Sequence, residues 1–202
     1  MSFSKHTLGR RACLALATLG LLAGQAWAQG AAAAPKVKFA TSAGDFVVEV
    51  YPDKAPKTVA NFLQYVKDKH YDGTVFHRVI ENFMVQGGGF DAAYAQKPTR
   101  APVVHEGREA LTKGGDKNVV GTLAMARTND PNSASSQFFI NVRDNDFLNP
   151  SVQAPGYTVF GKVVSGMEVV NKIKSTPTGA GGPFPGDVPK TPILINSASL
   201  VK

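Results

Sequence analysis

The sequence predicts a mainly β protein, a closed eight-stranded antiparallel β-barrel capped by two α-helices. Short runs of alternating apolar residues recur along the chain, bounded by glycine, proline, asparagine or aspartate. Only two segments carry helical periodicity. Antiparallel strands in such number hide their unpaired edges by closing on themselves, and two helices suffice to plug the open ends.

The chain of 202 residues begins with what reads as an address label. Lys5, Arg10 and Arg11 precede an apolar run from Ala12 to Ala23, and Ala26-Trp27-Ala28 offers a small-x-small processing site. The run is too short for a lasting membrane anchor. Residues 1–28 are therefore expected to be a secretory signal peptide, removed on export to the periplasm, with no stable membrane insertion afterwards. Arg10-Arg11 admits the twin-arginine route as a minority alternative. Residues 29–35 read as an alanine-rich flexible linker. Removing 28 residues leaves 174, and residues 36–202 are enough for one domain with a substantial core.

Within the domain, Lys36 to Thr41 and Asp45 to Tyr51 form a hairpin turning at Ser42-Ala43-Gly44. Pro52 ends it, and Pro56 opens a helix on which Val59, Phe62, Leu63 and Val66 make one apolar stripe. Val75 to Ile80 and Phe83 to Gln86 are the next strands, the second expected to stop at Gly87-Gly88-Gly89. Residues 87–118 are long and aperiodic, which marks a functional surface or a misread element. Val119 to Ala126, Gln137 to Val142 and Tyr157 to Val164 resume strand character, and Gly166 to Lys174 is a second, shorter helix. Residues 176–192 read as a glycine and proline loop before a closing strand from Pro192 to Val201.

Composition narrows the chemistry. The single cysteine, Cys13, lies in the leader, so the mature chain has no thiol to act as nucleophile or metal ligand and suits an oxidising compartment. The formal charge of +7 falls to +4 once the three positive leader residues are gone. Those charges are scattered, so nucleic acid is not an expected partner. The triple glycine lacks the Gly-Lys-Ser/Thr of a phosphate loop. His105-Glu106 has no second histidine at ligand spacing, so neither metal nor cofactor is expected. Ser133, Ser135 and Ser136 lie in a turn without a G-x-S-x-G elbow, which disfavours a serine hydrolase.

The distinctive stretch is Phe76 to Gly89. At period 2, Phe76, Arg78 and Ile80 share one strand face and His77 and Val79 the other. Arg78 then lies against apolar surface. Either it pairs with a carboxylate such as Glu81 at a barrel rim, or it is a fixed cation beside an apolar pocket with Phe83, Met84 and Gln86 nearby.

Four ordered blocks bear on that choice: F-H-R-V-I-x-x-F-M-V-Q-G-G at Phe76 to Gly88, G-T-L-A-M-A-R at Gly121 to Arg127, S-Q-F-F-I-N at Ser136 to Asn141 and V-F-G-K-V at Val159 to Val163. Over essentially Lys36 to Lys202 they resemble the cyclophilins, which are peptidyl-prolyl cis-trans isomerases. The leader, Arg127 and Tyr157 make the chain most similar to the exported bacterial branch. The resemblance implies the same eight-stranded barrel capped by two helices, and an enzyme with no cofactor.

By resemblance, Arg78 is the catalytic residue, and Phe83, Met84, Phe139 and Leu148 hold the proline ring. Gln86, Gln137 and the backbone near Ala126 and Arg127 hold the substrate chain on either side. Periodicity alone leaves open which of Phe138 and Phe139 faces the barrel core. Phe147 and Tyr157 stand where many relatives carry a tryptophan and a histidine. Phe147 lacks the indole N–H that the family uses for cyclosporin, so weak cyclosporin binding is expected. Tyr157 keeps a ring and a hydroxyl, which argues against an obligatory acid-base role there. The implied partners are unfolded or partly folded proline-containing polypeptides, bound by a monomer. A proline-segment binding module or chaperone without turnover would use the same groove and is the alternative.

Overall fold

The computed structural model describes Met1 and residues 33–201. Apart from Met1, the expected signal peptide lies outside the described residues, as do residues 29–32 of the expected linker. The elements are β1 (Lys36–Thr41), β2 (Gly44–Val50), α1 (Pro56–Lys67), β3 (Thr74–Ile80), β4 (Met84–Asp91), α2 (Gly107–Thr112), β5 (Thr122–Met125), β6 (Phe138–Asn141), β7 (Val159–Ser165), α3 (Met167–Lys174), β8 (Thr178–Gly181), β9 (Phe184–Pro189) and β10 (Leu194–Leu200). Eight strands close into a barrel in the order β1-β10-β3-β4-β6-β5-β7-β2, and every pairing is antiparallel. The two expected helices are α1 and α3, and both send apolar residues into the barrel core. Two segments read as loops hold structure instead: the six-residue α2, and the separate β8–β9 hairpin.

The core is aromatic because the inward positions of five strands and α1 carry rings. Phe39 stacks on Phe46 at 5.0 Å, and Phe138 meets Tyr71 and Phe62 edge-on at 5.5 and 6.1 Å. Such pairs add about 0.5–1.5 kcal/mol each beyond the area they bury. Helix α1 begins at Pro56 with no capping side chain of its own and no acid in its first turn. Glu106, buried before α2, supplies both from across the chain. Its carboxylate accepts from the Lys57 and Thr58 N–H groups at 3.0 and 2.7 Å, and from the Thr58 hydroxyl at 2.7 Å.

The register of β3 against β4 departs from simple alternation. Phe76 pairs with Gly87 but Arg78 pairs with Gln86, so His77 is one residue too many. A bulge of this kind reverses the phase of the strand beyond it. Phe76 and Val79 therefore lie in the barrel core, while Arg78 is exposed and Ile80 packs in an outer cluster. Phe76 and Arg78 do not share a face, contrary to the period-2 expectation.

Nor does β4 stop at the triple glycine. Glycine usually weakens a strand, but here large groups press against it. Gly88 has φ +84, and a Cβ there would sit 2.8 Å from the Tyr71 ring; at Gly89 a Cβ would sit 2.5 Å from Cγ of Gln137. The bare backbone at Gly89 thus makes room for the Gln137 side chain.

The bulged His77 is buried, its ring 4.7 Å from Phe90 and 5.4 Å from Phe184 of the hairpin. Burial, with some help from the Arg78 charge, pushes its imidazole down to about 4. An unfolded histidine titrates near 6.5. Above about pH 6.5 the imidazole is neutral folded or unfolded and costs nothing; as pH falls toward 4 only the unfolded chain takes up the proton, and the fold loses about 3 kcal/mol. Thermal unfolding of His77→Phe is expected to lose less stability between pH 7 and 4 than the wild type. His70 and His105, also held low by burial, leave some slope in both. Identical profiles would reject the assignment.

Candidate active site

Outside the barrel, β4, β5, β6 and β7 and the segment between β6 and β7 carry a second apolar cluster of Met84, Ala124, Phe139, Leu148 and Val159, with Ile80, Phe83, Ala126 and Tyr157 packed against it. On β6 strict alternation turns Phe138 inward and Phe139 outward, which resolves the choice that periodicity left open. Leu148 ends a single 3-10 turn, Asp146–Leu148. The Tyr157 N–H donates to the Leu148 carbonyl at 3.0 Å, which ties together the ends of the loop between them. Tyr157 then meets Phe139 edge-on at 5.4 Å.

These walls enclose a cavity of about 110 Å³ lined by Arg78, Phe83, Met84, Gln86, Ala126, Arg127, Phe139, Leu148 and Tyr157. Pockets for drug-sized ligands run to roughly 300–1,000 Å³. This one has room for a single side chain. A larger open groove of about 540 Å³ lies between α1 and β10, but none of the expected site residues lines it.

The rim is polar. Gln86 donates from Nε2 to Oε1 of Gln137 at 3.0 Å, and both line an adjoining open cavity with Gln96, Arg127 and Ser135. Arg78 is half exposed, with its Nε 3.7 Å from the Asp187 carboxylate on β9. The expected carboxylate partner, Glu81, and the Gln86 side chain do not hold it. Arg127 donates from Nε and Nη2 to the Gly156 carbonyl at 3.1 and 2.8 Å and lies 4.5 Å over the Tyr157 ring. Its charge therefore clamps the loop that brings Tyr157 to the pocket.

Behind the pocket runs a chain of buried amides. Asn145 donates from Nδ2 to the Phe83 carbonyl at 2.9 Å and to Oδ1 of Asn141 at 2.8 Å. Asn141 in turn donates to Asn118 at 3.2 Å and to Thr122 at 3.0 Å, and Asn118 donates to the Leu148 carbonyl at 3.1 Å. The backbones of two wall residues, Phe83 and Leu148, are thus joined through side chains that are almost fully buried.

Beside the closed barrel the chain thus carries a ring-sized cavity lined by apolar side chains together with Arg78 and Arg127. The family described as cyclophilin type peptidyl-prolyl cis-trans isomerase matches residues 36–200. The chain belongs to the cyclophilins. It is 51% identical over 167 residues to peptidyl-prolyl cis-trans isomerase B of Escherichia coli strain K12, covering 81% of this chain and 98% of that one. Isomerase A of Dickeya dadantii is 45% identical over 195 residues, 96% of this chain and all of that one. A crystal structure of a Cryptosporidium parvum cyclophilin type isomerase superposes with a TM-score of 0.67 at 26% identity, covering 84% and 98% of the two chains. This cyclophilin is a prolyl isomerase.

In this cyclophilin the sequence-derived residues mostly converge. Nine of them line the ring-sized cavity. Gln137 sits one cavity along, joined to the first through Gln86. Phe147 does not line the pocket: it is 73% exposed and stacks on the outer side of Phe83 at 5.6 Å. The Ala126 N–H already donates to the Gln137 carbonyl at 3.0 Å, so of the backbone groups on that residue its carbonyl is the one left to a substrate chain. Asp187 and the amide chain went unread. Asp187 stands in a segment without periodicity, and buried asparagines look in sequence like turn residues.

Proposed function

We propose that this isomerase accelerates rotation about Xaa-Pro bonds in exported, partly folded polypeptides of the periplasm, working as a monomer with Arg78 as its catalytic residue. The observation that carries the reading is a pocket with room for one ring and two arginines in its lining, of which Arg127 is taken up by the Gly156 carbonyl and the Tyr157 ring while Arg78 keeps its terminal nitrogens for a substrate. An imide resists rotation by about 18–20 kcal/mol because its nitrogen lone pair is shared with the carbonyl. Near the half-turned geometry that pair returns to the nitrogen and can accept a hydrogen bond. A donor aimed there stabilises the twisted state more than the planar one. Arginine suits the task because it stays protonated and presents several donors in a rigid fork. Proline in the cavity seats the bond, Gln86 and Gln137 hold the flanking chain, and exclusion of water strengthens each polar contact.

Export is supported by the leader-like residues 1–28 and by a domain without cysteine. Phe147, lacking an indole donor, goes with weak cyclosporin affinity. The test is fractionation with N-terminal sequencing, joined to an exchange-NMR assay on a short Ala-Pro peptide. The mature chain is expected in the periplasm, starting after Ala28, and turning over many equivalents of peptide. An unprocessed cytoplasmic chain would reject the export reading while leaving the isomerase intact.

A further inference from the structure

The geometry points to Asp187 as a positioning residue for Arg78, an inference that rests on the catalytic role proposed for that arginine. An arginine side chain has about 2 kcal/mol of rotamer entropy, and at a half-exposed site it explores many poses unless something holds it. Among the described residues, the one carboxylate within 4.0 Å of its guanidinium is Asp187, at 3.7 Å from Nε. A contact on the Nε edge leaves the terminal nitrogens of the fork for a substrate.

The carboxylate is delivered by a built support. The β8–β9 hairpin stands outside the barrel sheet, yet it docks on β3 through Phe184, whose ring meets Phe90 edge-on at 5.0 Å and covers His77. His77 is the bulged residue beside Arg78, so one contact fixes both the hairpin and the strand that carries the arginine. Asp187 itself has φ +63, a left-handed conformation that is costly for most residues and tolerable for aspartate or asparagine. Half-exposed ion pairs stabilise a fold very little. The strained backbone and the ion pair therefore fit a role in aiming a side chain better than one in holding the barrel.

The test compares wild type, Asp187→Asn, Asp187→Glu and Arg78→Ala by exchange NMR on an Ala-Pro peptide, with thermal unfolding alongside. Asparagine keeps the left-handed backbone and removes only the charge. Asp187→Asn is expected to lower kcat about tenfold with KM unchanged and the same unfolding midpoint. Asp187→Glu should recover part of the rate, and added salt should slow the wild type but not Asp187→Asn. A kcat at or above wild type in Asp187→Asn, or a loss confined to KM, overturns the inference. Should Asp187→Asn not fold, Asp187→Glu and the salt response decide: no salt response in the wild type overturns it as well. Full activity in Arg78→Ala would instead remove the reading on which it rests, which is a separate outcome.

Discussion

Arg78→Ala is expected to lower kcat/KM for an Ala-Pro peptide by a hundredfold or more and leave the barrel intact. Removal of one donor aimed at a developing charge typically costs about 10²–10³ in rate. Arg78 lines the cavity proposed to seat the ring, which would put it in that position. Its loss should not unfold the chain, because its ion pair with Asp187 is half exposed and it adds nothing to the barrel core. An acceleration of about 10⁶ requires roughly 8 kcal/mol, more than one hydrogen bond supplies, so positioning and desolvation must leave residual activity. Arg78→Lys keeps a charge but not the fork, and is expected to fall between alanine and wild type. Exchange NMR at several substrate concentrations, with circular dichroism on the same samples, reads both quantities. Equal rates in Arg78→Ala and wild type would reject the assigned role.

How far the sequence reaches is set by the range of the forces involved. Alternation along Lys36–Thr41 and the stripe Val59, Phe62, Val66 are local patterns, and the barrel with its two main helices follows from them. The triple glycine misled because a breaker in isolation becomes an asset where Tyr71 and Gln137 crowd the strand. At His77 the bulge could not be read, since one extra residue in a pairing is defined only by the partner strand. Pocket walls such as Met84 and Phe139 were legible through ordered blocks, and alternation alone would have left Phe139 undecided. Asp187, Glu106 and the Asn118–Asn141–Asn145 chain act across long stretches of sequence. Each looks on its own like an ordinary polar surface residue.

Glu106→Ala is expected to destabilise the fold by about 3 kcal/mol with little change in the chemistry of the site. The carboxylate takes three hydrogen bonds from the first turn of α1 in a buried setting. Bonds to charged acceptors are worth about 1.5–3 kcal/mol each, but these three share one acceptor and do not add fully. What alanine leaves behind decides the size of the effect. The Thr58 N–H and hydroxyl are buried, and the helix has no capping side chain at Ala55 to take them instead. The positive end of the helix also loses the charge that faces it. For a domain of this size, such a loss lowers Tm by roughly 6–12 °C. Glu106→Gln keeps the shape but turns an amide toward donors, so an intermediate loss is expected. Below the transition, kcat/KM of the alanine variant should stay within about twofold of wild type, because Glu106 does not line the ring-sized cavity. That pattern is the reverse of the one expected for Arg78→Ala. A Tm within a degree or two of wild type would mean that water replaces the carboxylate at the helix end, and the long-range cap would have to be given up.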